Sequence, residues 1–72
     1  MITRPAVEIV REGRYMAEVP VALIETGSGW SPDLSLDDAE KLDEVRLALR
    51  REDLKAAARL GTVYEVTPVA AE

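Results

Sequence analysis

The chain of 72 residues contains no cysteine and no histidine, and its formal net charge is −5. The two missing residue types exclude disulfides, thiolate metal sites and the commonest general base, and the negative charge disfavours nucleic acid as a primary partner. A hydrophobic fraction of 47% is typical of a globular chain rather than a disordered one. We therefore expect residues 1–72 to form a single small domain, with residues 69–72 as a frayed tail.

The hydropathy pattern argues against contact with a membrane. No apolar run approaches the roughly 20 residues that a membrane-spanning helix needs, and the first residues contain no apolar segment of a signal peptide. We therefore expect a cytoplasmic protein. Because a short fold without disulfides or metals often gains burial from a partner or from its own copy, we also expect a homo-oligomer.

The first third of the chain predicts two strands joined by a tight turn. Half of residues 6–11 are β-branched, which predicts a short strand, and Gly13 after them suits a hairpin turn. Residues 14–26 predict a longer strand with an apolar residue at every second position. Period two places these residues on one face of a sheet, towards a core. They are Tyr15, Ala17, Val19, Val21 and Leu23.

The opposite face of this second predicted strand is mixed. It contains Met16 and Glu18, so we expect it to be partly hydrated or covered by a partner. Pro20 lies in the same strand and has no backbone N–H to donate, which indicates an edge or a bulge.

A loop and a helix follow. Residues 26–33 contain two glycines, a proline and Trp30, which predicts a loop. Ser35 is the expected N-cap of the helix, with Asp38 in the capping-box position three residues later. Asp37 and Lys41 are spaced for an i,i+4 ion pair. The predicted apolar stripe of the helix is Ala39, Leu42, Val45 and Leu49.

The stripe loses its phase at residues 50–53, which predicts a break and a short second helix over residues 53–60. Gly61 suits the end of that helix, and residues 62–67 predict a last strand. The order is β-β-α-α-β. This order predicts an α+β fold in which one long or broken helix packs on one face of a small antiparallel sheet.

The sequence offers little for catalysis or for binding a metal. Its serines have no histidine or cysteine to activate them, so we expect neither an enzyme nor a bound cofactor. Five carboxylates cluster near the helix start, without the loop spacing that shapes a calcium site. A solvated face that complements the helix dipole explains them, and no metal is expected. They are Asp37, Asp38, Glu40, Asp43 and Glu44.

Two further features suggest partner binding. Trp30 is the only tryptophan, and it is either an exposed binding anchor or a lid over the core. Arg51, Lys55 and Arg59 are spaced by four and predict one basic helical face, which would meet an acidic partner or phosphates or simply remain solvated. The candidate partner-binding residues are therefore Trp30, Met16, Glu18, Arg51, Lys55 and Arg59.

Residues 13–49 resemble the core of HicB-type antitoxins. The resemblance lies in residues 15–20 (Tyr-Met-Ala-Glu-Val-Pro) after the Gly13 turn, and in residues 34–39 (Leu-Ser-Leu-Asp-Asp-Ala) at the helix start. The Gly-Cys step of that family is replaced by Trp-Ser-Pro at residues 30–32, and we expect no DNA-binding domain in residues 50–72. The resemblance implies a protein-binding sheet and helix, and toxin neutralisation rather than operator binding.

These observations lead to three hypotheses. The first is a non-enzymatic, antitoxin-like module that binds a protein partner, such as a basic toxin, through its surface. The second is a homo-oligomeric structural or scaffold protein, in which the mixed face of residues 14–26 meets its own copy. The third, which the net charge disfavours, is a nucleic-acid accessory protein that uses Arg51, Lys55 and Arg59.

Overall fold

The structure is a computed structural model that describes residues 2–25 and 33–70. It confirms the predicted α+β fold, a small antiparallel sheet with a long and a short helix, and it adds a two-residue strand before the first helix. The elements are β1 (Ile2–Glu12), β2 (Tyr15–Glu25), β3 (Asp33–Leu34), α1 (Leu36–Arg50), α2 (Leu54–Ala58) and β4 (Thr62–Glu65).

The sheet is organised around β2. Along one edge β2 pairs with β1 over the full length of both strands. Along the other edge it pairs with β4 near its start, where Met16 lies opposite Tyr64, and with β3 near its end, where Ile24 lies opposite Asp33. The strand that contains Pro20 is therefore the central strand and not an edge strand. Pro20 lies in the interval between the two shorter partners, where no described strand needs its missing N–H.

Side chains of α1 satisfy the backbone of β2 in this interval. The Ala22 N–H donates to Asp38 Oδ2 at 2.8 Å, and Lys41 Nζ donates to the Pro20 carbonyl at 2.5 Å. Lys41 also lies 3.5 Å from Asp38 Oδ1, and this pair replaces the predicted pair with Asp37. The helix therefore binds the sheet through hydrogen bonds as well as through its apolar side.

The start of α1 follows the predicted capping pattern in part. Ser35 is the N-cap, and its hydroxyl accepts the Asp38 N–H at 3.1 Å. The Asp38 carboxylate does not complete the predicted capping box, because it binds the Ala22 N–H of β2. In a capping box Asp38 would bond only within α1, whereas here its carboxylate joins α1 to β2.

The hairpin turn sets the register of β1 on β2. Gly13 has φ +60°, as the first central position of a type II′ turn requires, and Glu12 pairs with Tyr15 on either side of the two-residue loop. In this register Ala17, Val19 and Val21 face the helices, as the apolar alternation of β2 predicts.

The core is small and built mainly from valine, alanine and leucine. Ala48 is buried in α1, whereas Ala39 of the predicted stripe is exposed and Leu42 is half-buried. The stripe is thus shifted around the helix from its predicted position, because β1 and β2 contact the side that contains Ala48. The buried residues are Val10, Ala17, Val19, Val21, Val45, Ala48, Leu49 and Ala57.

The predicted break between the helices is confirmed, and it lies at Glu52. This residue has φ +58°, the left-handed conformation that ends many helices, although glycine is usual there. The next amide, from Asp53, donates to the Ala48 carbonyl at 2.8 Å, and the Asp53 side chain then caps α2. Gly61 lies just beyond α2, where the helix was predicted to end, and its N–H donates to the Ala57 carbonyl at 3.1 Å. It also allows a close approach of β2, because a Cβ atom there would lie 2.5 Å from the Glu18 carbonyl oxygen.

The two turn glycines lead to a test by asparagine substitution. Gly61→Asn should destabilise the fold by about 1–3 kcal/mol, because its side chain would collide with the backbone of β2. Gly13→Asn should cost less, about 1 kcal/mol, because no atom lies within 4 Å of a Cβ at this position and the loss comes from backbone strain at positive φ alone. Urea denaturation of both variants measures the difference, and equal losses would contradict this account.

The bond between Asp38 and β2 leads to a test of pH dependence. The Ala22 N–H, followed by the Lys41 charge, holds the pKa of Asp38 below its ordinary value. A lowered pKa in the folded state means that Asp38 adds stability above its unfolded pKa of about 3.9. This contribution is lost as the pH falls through the lowered value.

We therefore expect Asp38→Asn to melt at a lower temperature than the wild type at pH 7, with a difference that shrinks as the pH falls below about 4. The matched control is Asp37→Asn, which removes the same charge from the same helical turn at an exposed position. Melting curves at pH 7 and at acidic pH would refute the account if both variants behaved alike.

Candidate functional site

The most unusual feature of the surface is the orientation of β1. Two of its large apolar side chains, Val7 and Ile9, are 60% and 51% exposed and project from the sheet face opposite the helices, whereas Val10 is buried in the core. Ala6, Glu8 and Val10, which alternate with them, project from the helix side. A strand of an isolated domain would be expected to bury valine and isoleucine and expose glutamate.

Val7 and Ile9 belong to a larger uncharged area on the outer sheet face. We call this area the apolar strip. The pairing of β1 with β2 places Val7 opposite Pro20 and Pro5 opposite Ala22. The apolar strip consists of Pro5, Val7, Ile9, Pro20 and Ala22, all exposed.

Charged side chains on this face lie around the apolar strip. Glu18 lies opposite Ile9, and its Oε1 accepts a hydrogen bond from the Tyr64 hydroxyl at 2.6 Å. This bond directs the carboxylate towards β4 and raises the pKa of Tyr64 above its ordinary value. Asp33 and Arg11 project from the same face near the two ends of the sheet.

A second unusual feature is the free edge of β1. Among residues 2–25 and 33–70, no strand pairs with the edge of β1 that faces away from β2. Long edge strands present a row of unpaired backbone groups, and natural proteins usually blunt them. On this edge Pro5 is one blunting residue, and Val7 and Ile9 lie between it and the turn.

A group of ion pairs ties the hairpin turn to the end of α1. Glu12 lies 3.1 Å from Arg50 and 3.6 Å from Arg46, and its hydrogen bond raises the pKa of Arg50. Glu52 lies 3.6 Å from Arg14. These contacts join the turn to the helix. The charged residues at the turn therefore have a structural role, although each exposed ion pair contributes little stability by itself.

The predicted partner-binding residues fall into separate groups. Met16 and Glu18 lie on the outer sheet face, next to the apolar strip. Arg51, Lys55 and Arg59 are exposed on the helix side. Trp30 lies outside the described residues.

The three cations do not share one helical face, as their spacing predicted. Arg51 is the C-cap of α1, whereas Lys55 lies within α2 and Arg59 is the C-cap of α2. The change of direction at Glu52 separates the first cation from the other two. The spacing of four holds only within one continuous helix.

Sequence reasoning did not identify Val7, Ile9 and Tyr64 as surface residues of the candidate site. Residues 6–11 are apolar on both alternate sets, so their pattern alone does not show which set is buried. The sequence does indicate the orientation of β1 when two of its features are taken together. The Gly13 turn determines which residues of the two strands are opposite each other, and the clearer alternation of β2 then decides the faces of β1.

The described residues present an exposed apolar strip and a free strand edge on one side of the sheet. In the part of the chain that the structure describes, no group of three or more acidic side chains is arranged to hold a metal ion. No helix described here is long and apolar enough to cross a membrane. Compared with known proteins, the chain matches no family model, no curated protein and no solved structure.

Proposed function

We propose that this chain is a non-enzymatic protein-binding module of antitoxin type, which holds a basic partner protein against the outer face of its sheet. One observation carries the proposal: Val7 and Ile9 project from the sheet away from the helices and remain more than half exposed. Contiguous exposed apolar surface on a small domain is characteristic of a protein interface.

The energetics favour a covered state for this face. Full burial of a valine or isoleucine side chain is worth roughly 1.5–3 kcal/mol, so the exposed fractions of Val7 and Ile9 leave about half of that unused. Pro20 and Ala22 lie beside them and add apolar surface without a charge. A partner that covers the apolar strip would recover this free energy, and two strands already paired over their full length lose little entropy on binding.

The charge distribution favours a basic partner. The net charge is −5, and among the described side chains that project from the same face as the apolar strip, the carboxylates of Glu18 and Asp33 outnumber the one cation, Arg11. An uncharged centre with acidic neighbours suits a partner that has an apolar patch with basic neighbours. Electrostatic attraction of this kind mainly raises the association rate and selects against acidic proteins.

The antitoxin class is supported by the resemblance to HicB-type cores. The resembling residues 15–20 form the part of β2 that supplies Met16, Glu18 and Pro20 to the outer face. The second resembling segment, residues 34–39, contains Asp38, which binds β2 at the interval beside Pro20. The two segments therefore belong to one structural unit, and the proposed binding face is built on it.

The test is co-expression of the chain with the product of the adjacent gene in its operon. We expect a stable complex by size-exclusion chromatography and calorimetry, and relief of any growth arrest that the neighbour causes. Ala22→Glu places a charge in the apolar strip at an exposed position and should weaken the complex by roughly tenfold or more, which corresponds to about 1.4 kcal/mol.

The matched control is Leu47→Glu. Leu47 is also exposed, at 44%, but it lies on α1 and therefore on the other side of the sheet. This variant should bind as the wild type does. The proposal fails if the two purified proteins do not associate, or if both variants weaken binding equally.

A further inference from the structure

We propose that two copies of this chain form a dimer by pairing their free β1 edges antiparallel, about a two-fold axis at Ile9. The dimer would contain one continuous sheet with the helices of both copies on one side. This inference goes beyond the proposed function and does not depend on it, because it concerns the edge of β1 rather than the partner of the outer face.

The hydrogen bonds of β2 show which backbone groups of β1 face the free edge. The Ala22 N–H and the Pro20 carbonyl point away from β1, because they bind Asp38 and Lys41 of α1. The backbone groups of the alternate residues of β2 must therefore point at β1. They pair with the even-numbered residues of β1, so the odd-numbered residues present their N–H and C=O groups to the free edge.

The position of Pro5 limits how two such edges can pair. Pro5 is one of the residues that face the free edge, and it has no N–H to donate. Pairing centred on Ile9 uses Val7, Ile9 and Arg11 of each copy and forms about six hydrogen bonds. Pro5 then lies opposite Gly13 of the other copy, beyond the end of the paired strand. Pairing centred on Val7 would place Pro5 of each copy within the paired strands, and each Pro5 would leave one backbone hydrogen bond unmade.

The charges exclude the neighbouring registers. Pairing centred on residue 8 would place the two Glu8 side chains directly opposite each other, and pairing centred on Arg11 would do the same with two guanidinium groups. Pairing centred on Val10 would set Glu8 against Glu12 of the other copy. The register centred on Ile9 pairs Ile9 with itself, Val7 with Arg11 and Glu8 with Val10, so no like charges lie directly opposite each other within the paired residues 7–11.

The occupant of the edge is therefore a second copy of this chain, because the edge is self-complementary in one register. The pairing would bring Val7 and Ile9 of both copies into one row on the outer face. The two apolar strips would then become a single surface on the same side of the continuous sheet. A C2 dimer closes on itself, so it leaves no free β1 edge for further growth.

The first measurement is the mass of the wild-type chain in sedimentation equilibrium at micromolar to millimolar concentration. We expect reversible formation of a dimer of the 7.9 kDa chain. A monomer throughout this range would overturn the proposal. This outcome would leave the proposed binding of another protein untouched, since that complex is measured separately.

The register is tested by disulfide cross-linking. The chain has no cysteine of its own, so an introduced cysteine can bond only to its copy in the other chain. Ile9→Cys places the two thiols at directly opposite positions, with Cα atoms about 5.5 Å apart, within disulfide range. In the matched control Val7→Cys, the two thiols are offset by four residues, or roughly 14 Å. We expect Ile9→Cys to cross-link at least tenfold faster under oxidising conditions. Equal rates, or faster cross-linking of Val7→Cys, would overturn the register.

Two further variants test the edge itself. Ile9→Pro removes an outward N–H that β2 does not use, so the hairpin should persist in circular dichroism while the dimer is lost. Ile9→Lys sets two like charges opposite each other and should weaken the dimer by about tenfold even if the proline variant does not fold. Ala22→Lys, on the same face but away from the edge, should dimerise as the wild type does. A dimer that survives Ile9→Lys unchanged would refute pairing through β1.

Discussion

The two-residue turn at Gly13 is the constraint on which the rest of the structure depends. Because its positive φ holds Glu12 opposite Tyr15, every later pair of the hairpin is determined. The strong alternation of β2 then orients both strands, since a slip of one residue would turn Ala17, Val19 and Val21 away from the helices. The alternation of β1 is less regular, so its pairing with β2 decides its orientation and places Val7 and Ile9 on the outer face.

The contact between α1 and the interval in β2 explains how a central strand accommodates a proline. Asp38 and Lys41 take the place of a neighbouring strand at Ala22 and Pro20, so the backbone groups there have hydrogen-bond partners. The same contact positions α1 over the core. Stability, strand pairing and helix placement are thus coupled through two side chains in a domain in which eight of the described residues are buried in the core.

The distribution of charge distinguishes the two sides of the domain. The helix side contains the ion pairs that join the turn to α1, together with the exposed basic residues Arg51, Lys55 and Arg59. The outer sheet face has an uncharged centre. This distribution of charge agrees with the proposed association through the outer face. The free β1 edge and the outer face are adjacent, so self-association and partner binding would use neighbouring surfaces.

The sequence by itself determined the fold class, the Gly13 turn, the buried face of β2, the Ser35 cap and the break between the helices. These features follow from local periodicity and from residues with strong conformational preferences. Only the tertiary structure decided that Asp38 binds β2, that Ala48 rather than Ala39 is buried, and that Val7 and Ile9 face outwards. Each of these depends on which elements meet, and residues 6–11 are apolar on both faces, so their pattern contains no information about that choice.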